Sequence, residues 1–399
     1  MAETKKWEEM TWQEKREARF DRWLNPPDVK FVSKEAEQLF KARVTRFIKA
    51  IKLEEPDRVP VMLPTGNYPA YWGGADFHTL MYDYNKGAEI WKKYMAAFGD
   101  MDVFNGPALV PSGKIAAAIP SKLQKLPGLG LPKDATMNQF VEGEYMMADE
   151  YDRYMMDPSD YNLRVMLPRT SPFFDAFKRL PPLRALMGTS WVGIMTDPEI
   201  RQIFQTIMSL TDEQNKWMTA NMELNNYIRA RGYASLFGGG LSVMAGAPFD
   251  HFADALRGTQ GIAKDMFRQP KKLLEAMEKY LNLTIETSIK NFPMTGSPIC
   301  MMPLHKGDDT FMSDKQFAEF YWPTLRRLFL AMINEGLVPM PFAEGKFNNR
   351  LKQITDTPPS GVVWYFDQTD MKEAKKILGG ICCIAGNVPT SIVMKGTVQ

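Results

Sequence analysis

The sequence predicts an α/β fold of the (β/α)8 TIM barrel class, with a helical extension at its amino terminus. Short apolar runs recur along the chain and are separated by helical stretches, and this alternation is typical of a parallel sheet. In the second half, the strand and helix units succeed one another with little intervening chain, which favours a barrel over a doubly wound sheet. A chain of 399 residues is long enough for one barrel with insertions.

The extension, assigned to residues 1–52, is predicted to contain two helices. Residues 1 to about 24 are charged with scattered apolar anchors, and Pro26 and Pro27 end this helix. A second helix is predicted from near Ser33 to Lys52. The extension is expected to pack on the body or on a second subunit, so a homodimer is one expected state.

The barrel domain is assigned to residues 53–399. Its strands are predicted in seven apolar runs, which begin near Pro56, Met101, Tyr233, Pro298, Leu337, Gly361 and Ile381. Helices are predicted at 270–290, 314–334 and 370–378. The stretch at about 106–217, rich in Met, Pro and Tyr, is predicted to be a helix and loop elaboration over the barrel mouth.

The composition favours a cytoplasmic globular protein and argues against several function classes. Apolar residues make up 45% of the chain, and Lys plus Arg number 49 against 47 for Asp plus Glu. No overall basic field would therefore hold nucleic acid or an anionic membrane. No apolar run is long enough to span a bilayer, charges interrupt the opening stretch where a signal peptide would need an apolar core, and the three cysteines form no disulfide framework.

Polar residues follow the predicted strands, where the catalytic groups of barrels are found. His305, Glu344 and Asp367 each follow a strand, and the last run carries Cys383 and ends at Asn387. His, Glu and Cys are zinc ligands, and three protein ligands with an open fourth position form the usual catalytic zinc site. A zinc site on His305, Glu344 and Cys383 is one hypothesis.

The alternative is structural. His305 would then bond to a loop, Glu344 would pair with Lys346 or Arg350, and Cys383 would be a small core residue.

A triple glycine follows the strand near Tyr233 and precedes Asp250, in "LFGGGLSVMAGAPFDHFADALRGTQG". Glycines such as Gly239 let a backbone approach a ligand closely, and a carboxylate such as Asp250 can orient that ligand or exchange a proton with it. The alternative is a loop followed by a helix on which Asp254 and Arg257 pair. The chain carries neither a phosphate-binding loop nor a dinucleotide fingerprint.

Several stretches together resemble the uroporphyrinogen decarboxylase superfamily, and specifically its corrinoid-dependent methyltransferase branch. They are "EEPDRVPVMLP", "FVEGEYMMADEYD", "APFDHFADALRGTQGI", "FMSDKQFAEFYWPTLRRL", "FAEGKFNNRL" and "CCIAGNVPTSIVMKGT". The resemblance runs from about Pro56 to Thr397 and is strongest to the methyltransferase components of bacterial O-demethylase systems. It implies a (β/α)8 barrel, in agreement with the independent prediction.

The chain lacks two sequence motifs of the superfamily, and their absence argues against particular activities. The arginine-rich R-Q-A-G-R signature of the decarboxylase is replaced by "PTGNY", Pro64 to Tyr68, so the counter-charges for a polycarboxylate macrocycle are missing and decarboxylation is not expected. The H-x-C zinc motif of the thiol methyltransferases is replaced by "FAEG". Relatives also continue beyond the "GT" motif, so an incomplete barrel or a truncated sequence is expected.

The resemblance implies methyl transfer between a small substrate and the cobalt of a corrinoid (cobalamin) on a partner protein. Zinc on the three predicted ligands would polarise the leaving oxygen, and Asp250 or Asp367 would assist as acid or base. Asn67, Tyr68 and Trp72, just past the first strand, would line the substrate pocket together with Gly239 and Asn387.

Two other hypotheses remain open at this stage. One is transfer of the methyl group from a methylated corrinoid to tetrahydrofolate without zinc. The other is a protein that binds a tetrapyrrole or corrinoid without chemistry.

Overall fold

The computed structural model describes residues 5–63, 65–104, 109–236, 246–294 and 296–397. The strands in these ranges are β1 (Met62–Leu63), β2 (Val103–Phe104), β3 (Gln124–Pro127), β4 (Gly130–Leu131), β5 (Gln139–Phe140), β6 (Ala234–Ser235), β7 (Ile299–Leu304), β8 (Val338–Ala343), β9 (Val363–Phe366) and β10 (Cys383–Gly386). A strand lies in each of the seven predicted runs, so these strand predictions are confirmed.

Helices connect and cover these strands. The α-helices are α1 (Trp12–Leu24), α2 (Lys34–Ile51), α3 (Tyr68–Trp72), α4 (Phe77–Tyr82), α5 (Tyr84–Ala97), α6 (Gly113–Ala118), α7 (Tyr151–Met156), α8 (Pro158–Tyr161), α9 (Leu167–Thr170), α10 (Ser190–Ile194), α11 (Pro198–Ser209), α12 (Thr211–Arg229), α13 (Pro248–Asp250), α14 (Gly258–Arg268), α15 (Pro270–Thr284), α16 (Asp314–Gln316), α17 (Trp322–Asn334), α18 (Met371–Leu378) and α19 (Thr390–Lys395). Wider π-helical turns occur at Asn162–Met166, His251–Leu256, Ile285–Ile289 and Phe317–Tyr321, and 3-10 turns at Trp7–Glu9, Pro172–Arg179 and Leu183–Ala185.

The seven predicted strands form two parallel sheets, ordered β1-β2-β6 and β10-β9-β8-β7. Within the described ranges no strand pair joins one sheet to the other. The fold is therefore mixed α/β with parallel sheets, and the closed (β/α)8 barrel predicted from the sequence is not seen in this part of the chain. The strands β1, β2 and β6 have only two residues each, which leaves few backbone groups for further pairing.

The elaboration contains a sheet that the sequence did not predict. Its three short strands are ordered β4-β3-β5, and β3 pairs with β5 antiparallel. Gly128 and Gly130, at φ +76° and +89°, turn the chain between β3 and β4, a conformation that glycine adopts without strain. Strands this short carry no detectable hydrophobic period, and the sequence therefore indicated only helix and loop here.

One apolar cluster unites the two parallel sheets with the amino-terminal extension. Its buried members come from α1, α2, β2, β6, β7, β8 and β9, and they are Phe20, Trp23, Phe40, Val44, Ile51, Val103, Ala234, Leu236, Ile299, Val338, Met340 and Val363. Ile299, Val338 and Val363 lie at or near the amino ends of their strands. The extension thus packs on the body, across the amino-terminal ends of both sheets.

Two buried arginines of α1 bond to backbone carbonyls of the loops that enter these strands. Arg16 donates to Leu337, Ser360 and Gly361, and Arg19 donates to Glu335 and Pro293. A buried guanidinium is stable only when its N–H groups find acceptors. These bonds therefore fix α1 in one position on the sheet of β7–β10.

Among the residues that the structure describes, no helix combines the length and the apolar character needed to cross a bilayer.

Candidate active site

Four polar residues lie in one row at the carboxyl ends of neighbouring strands. The last residues of β7, β8, β9 and β10 are in register, with Leu304 opposite Ala343, Ala343 opposite Phe366 and Phe366 opposite Gly386. The next residue on each strand is His305, Glu344, Asp367 and Asn387, respectively. We call these four residues the strand-end row. Their alignment follows from parallel register, and it brings together residues that lie far apart in the sequence.

The His305 ring lies between two carboxyl groups and forms a hydrogen bond with one of them. Its Nδ1 lies 2.5 Å from Oδ2 of Asp254, and its Nε2 lies 3.8 Å from Oε1 of Glu344. Asp254 belongs to the π-helical turn His251–Leu256, which follows α13. The imidazole therefore stands between two carboxyl groups, and each ring nitrogen faces one of them.

This arrangement favours retention of a proton. The hydrogen bond to Asp254 raises the pKa of the His305 imidazole. Burial raises the pKa of the Glu344 carboxyl, and the negative charges of Asp367 and Asp254 raise it further, against the opposing effect of His305. In a neutral imidazole whose hydrogen is on Nδ1, the other nitrogen, Nε2, is an acceptor. Nε2 and the Glu344 carboxyl group therefore attract each other only when one of the two carries a proton. The pair is suited to general acid chemistry near neutral pH.

Asp250 supports the turn that carries His305. Its Oδ2 accepts hydrogen bonds from the backbone N–H of His305 (2.9 Å) and from the hydroxyl of Tyr321 (2.7 Å), and its Oδ1 accepts one from the backbone N–H of Lys306 (3.1 Å). The residue is only 4% exposed. Both carboxyl oxygens accept hydrogen bonds within the protein. Asp250, which the sequence predicted to be catalytic, therefore fixes the backbone that carries His305.

Asp367 and Asn387 occupy the other end of the row. Oδ2 of Asp367 accepts hydrogen bonds from the backbone N–H of Gly345 (3.1 Å) and the amide of Gln368 (3.2 Å). Nδ2 of Asn387 donates to the carbonyl of Thr369 at 2.5 Å. Asp367 raises the pKa of the Glu344 carboxyl through its charge, so it favours the protonated form of its neighbour.

The three predicted zinc ligands do not converge. Cys383 is opposite Val363, the first residue of β9, whereas Glu344 lies one residue beyond the level of Phe366, the last residue of that strand. At about 3.3 Å per residue this separates them by roughly 13 Å along the strands, against about 2.3 Å for a zinc–sulfur bond. Among the described residues, no group of three or more His, Cys, Asp or Glu side chains is placed to hold a metal ion.

Cys383 instead faces the interior near the amino-terminal end of the sheet. It packs against the cluster of the extension and the strands, and burial raises the pKa of its thiol to about 11. The separation of Cys383 from His305 and Glu344 therefore does not fit a zinc site on these three ligands.

The residues predicted beyond the first strand lie on or beside α3. Tyr68 and Trp72 are partly exposed, and both rings contact Tyr94, at centroid distances of 6.1 and 5.5 Å. Asn67 is the residue that precedes α3. Within the described ranges, no hydrogen bond, ion pair or ring contact joins these three residues to the strand-end row, and Gly239 lies outside those ranges.

Among the described residues, the structure shows no ion pair of Glu344 with Lys346 or Arg350, or of Asp254 with Arg257, as the structural alternatives proposed. Arg350 is buried and bonds to Asp314 and to backbone carbonyls, whereas the ion-pair partner of Glu344 is His305. Arg257 pairs with Asp265 and Glu144, which leaves Asp254 to His305.

Sequence reasoning missed Asp254, Lys306 and Tyr321 as parts of the site. A signal for Asp254 was present, because it follows Asp250 by four residues and such residues share a helix face. Tyr321 comes from a distant π-helical turn and had no local signal. Phe342 and Tyr365, whose rings are 4.7 Å apart, each lie two residues before a row member, so each shares a face of the sheet with that member. They form an apolar surface beside the polar row.

Comparison with known proteins identifies a family match in the second part of the chain. Residues 239–399 match the sequence model of the family described as uroporphyrinogen decarboxylase (URO-D). No curated protein matches the chain. A solved methyltransferase from Methanosarcina mazei is 15% identical, with a TM-score of 0.48 over 86% of this chain and 82% of that chain. The resemblance to the uroporphyrinogen decarboxylase superfamily is therefore confirmed over residues 239–399, the segment that contains the whole strand-end row.

Proposed function

We propose that this protein is a methyltransferase that moves a methyl group from a small donor, such as an aryl methyl ether, to the corrinoid of a partner protein. The observation that carries the proposal is the placement of His305 and Glu344 at the carboxyl ends of adjacent strands, with Nε2 of His305 3.8 Å from Oε1 of Glu344. Raised pKa values of both side chains favour their protonated forms. The family match over residues 239–399 is to uroporphyrinogen decarboxylase, and the replacement of the arginine-rich decarboxylase signature by "PTGNY" favours the methyltransferase branch of that superfamily.

The pair supplies what cleavage of an ether requires. A cobalt(I) corrinoid is a strong nucleophile that takes the methyl carbon, and the carbon–oxygen bond breaks with its electrons on oxygen. An alkoxide or aryloxide is a poor leaving group unless a proton reaches that oxygen. We assign this proton to His305 and Glu344, so the products are the free alcohol or phenol and the methylated corrinoid. General acid assistance of this kind contributes about 10²- to 10⁴-fold in rate.

The rest of the site would orient the donor. Phe342 and Tyr365 offer an apolar surface for its ring, while Asp367 and Asn387 offer polar atoms at the other end of the row. We further propose that the two parallel sheets are arcs of one (β/α)8 barrel, because a single interior cluster contains residues of both. The partner would then approach from the carboxyl ends of the strands, since α1 and α2 cover the amino ends.

Methyltetrahydrofolate is the second candidate donor. Its methyl group leaves a nitrogen that also needs a proton, and the same pair could supply it. No zinc is required for this chemistry, which accords with the separation of Cys383 from His305 and Glu344.

The test is the cobalt absorption spectrum of a reduced corrinoid protein mixed with this chain and one donor at a time. We expect conversion of cobalt(I) to its methylated form with an aryl methyl ether. Glu344→Gln should slow that conversion by about 10² or more, because a glutamine amide cannot deliver a proton to the leaving oxygen. The wild-type rate should fall as the pH rises through the pKa values of the pair, since the protonated form is the active one.

Glu286→Gln serves as the matched control, because Glu286 is an exposed partner of Lys290, and it should leave the rate unchanged. Conversion only with methyltetrahydrofolate would select the second donor. Conversion by no donor, with a corrinoid partner of verified activity, would refute methyl transfer, and tight corrinoid binding in that case would indicate a protein that binds without chemistry.

A further inference from the structure

We propose that Asp254 is a positioning residue that fixes the His305 ring in one orientation and one tautomer, with Nδ1–H donated to Asp254 and Nε2 directed at Glu344. The inference deepens the proposed function, since it concerns the same His305. It stands on the arrangement of the side chains around the ring.

The His305 ring has one close and one distant carboxyl neighbour. The 2.5 Å separation between Nδ1 and Oδ2 of Asp254 is a hydrogen bond to an ionisable acceptor, whereas the 3.8 Å separation between Nε2 and Glu344 is too long for a direct one. Among the described residues, Asp254 is thus the group that holds the ring. The backbone of His305 is held separately by Asp250, so main chain and side chain have different supports.

Asp254 is itself held in place by neighbouring side chains. Its other oxygen, Oδ1, lies 3.6 Å from Nζ of Lys306. Lys306 donates a hydrogen bond of 2.8 Å to the hydroxyl of Thr259, and Thr259 in turn donates through both its hydroxyl and its backbone N–H to Glu142. A carboxylate whose two oxygens face different fixed groups cannot rotate freely, so it imposes its orientation on the imidazole.

The contact with Asp254 determines the tautomer of the His305 imidazole. A carboxylate oxygen accepts hydrogen bonds and donates none, so Nδ1 must carry the hydrogen that joins the two residues. The neutral ring then has a bare Nε2 whose lone pair points toward Glu344. Loss of Asp254 would leave the hydrogen free to move to Nε2, which would turn the acceptor beside Glu344 into a donor.

The test is nitrogen NMR of the whole protein labelled with ¹⁵N-histidine. The chain has only three histidines, His78, His251 and His305, and a His305→Gln variant identifies the signals of the third. At a pH where the ring is neutral, we expect the wild-type protein to show the Nδ1–H tautomer of His305. Asp254→Asn should shift the ring toward Nε2–H, and Asp254→Glu should restore part of the wild-type pattern.

Controls separate this effect from unfolding. Asp152→Asn makes the same chemical change at an exposed partner of Lys272 and should leave the His305 signals unchanged. His251, stacked on Tyr280 at a centroid distance of 4.0 Å, reports whether the fold is intact. If Asp254→Asn fails to fold, the wild-type spectrum decides by itself, because a wild-type Nε2–H tautomer overturns the proposal. An unchanged tautomer in a folded Asp254→Asn variant overturns it as well.

Kinetics provide a second readout. We expect Asp254→Asn to lower kcat by up to about 10²- to 10⁴-fold, the range that general acid catalysis contributes, with little change in KM for the methyl donor. A rise in KM for the methyl donor with no change in kcat would contradict the positioning role. If the wild-type protein transfers no methyl group, the proposed function fails while the NMR result still decides the role of Asp254.

Discussion

The Asp250 carboxyl group illustrates how burial and hydrogen bonding compete at a single residue. Burial raises its pKa from the ordinary 3.8 to about 6, although the N–H of His305 and the hydroxyl of Tyr321 favour the charged form. Asp254 adds a like charge that also favours protonation, and the charge of His305 opposes it. Desolvation is the largest of these effects, so the folded protein holds a proton that the unfolded chain releases at the same pH.

This shift predicts a pH dependence of stability that can be isolated by mutation. Because the folded pKa exceeds the unfolded one, the contribution of Asp250 to the free energy of unfolding is greatest below about pH 4 and is lost as the pH rises to about 6. The loss is on the order of 3 kcal/mol. Asp250→Asn should abolish it, as measured by denaturant unfolding at several pH values.

The comparison must be a difference between wild type and variant, because His251 acts in the opposite sense. Burial lowers the pKa of its imidazole to about 4, so its contribution to stability is lost as the pH falls. His251 is present in both proteins and cancels. An identical pH slope in Asp250→Asn and wild type would show that the carboxyl group titrates normally in the folded state.

At the scale of elements, strand positions were predictable from sequence and their register was not. Short apolar runs bounded by Gly and Pro located all seven predicted strands, and the polar residue after each of the last four strands was visible in the sequence. Which of those residues share a level depends on pairing between strands that lie about 20 to 40 residues apart. The sequence placed both Cys383 and Asn387 in the last apolar run, but the structure shows that Cys383 is the first residue of its strand and that Asn387 follows the last one.

The register leads to an expectation for zinc binding. Cys383→Ser should hold the same amount of zinc as the wild-type protein after dialysis against dilute zinc, as measured by elemental analysis, because the thiol is remote from His305 and Glu344. Cys382→Ser, at the neighbouring thiol on the opposite face of the chain, is the matched control. One zinc per wild-type chain that disappears in both Cys383→Ser and His305→Gln would restore the ligand set suggested by the sequence.

The amino-terminal extension packs closely against the turn between α17 and β8. Gly336 has φ +72°, and a Cβ atom there would lie 2.6 Å from the backbone carbon of Lys15 and 2.7 Å from the backbone nitrogen of Arg16. A backbone atom cannot yield as a flexible side chain can. The approach of the two segments therefore depends on the absence of a side chain at this position.

Gly336→Ala should consequently destabilise the protein by more than the cost of the backbone conformation alone. That conformational cost is about 1 to 2 kcal/mol, and displacement of α1 would add the loss of the carbonyl bonds of Arg16. Gly74→Ala is the matched control, since Gly74 also has φ +72° and nothing lies within 4 Å of its added Cβ. Thermal unfolding should show a larger decrease in Tm for Gly336→Ala, and equal decreases would mean that α1 moves aside at no cost.

The sequence indicated that the extension could pack on the body, but it did not identify the contacts. Arg16 and Arg19 looked like parts of a charged solvated helix, and nothing local distinguished them from Arg22. Their acceptors are backbone carbonyls of residues 293, 335, 337, 360 and 361, and carbonyls carry no residue-type signal. A buried arginine that bonds to main chain is for this reason difficult to predict from one sequence.

The same contacts impose an order of events during synthesis. The acceptors of Arg16 and Arg19 are encoded 274 or more residues after these arginines, so the helix leaves the ribosome long before its binding site exists. Until the strands β7 to β9 have been made, Phe20 and Trp23 have no complete core to enter, and exposed apolar surface of this kind invites chaperones or aggregation. The first helix of the chain is thus among the last to acquire its native neighbours.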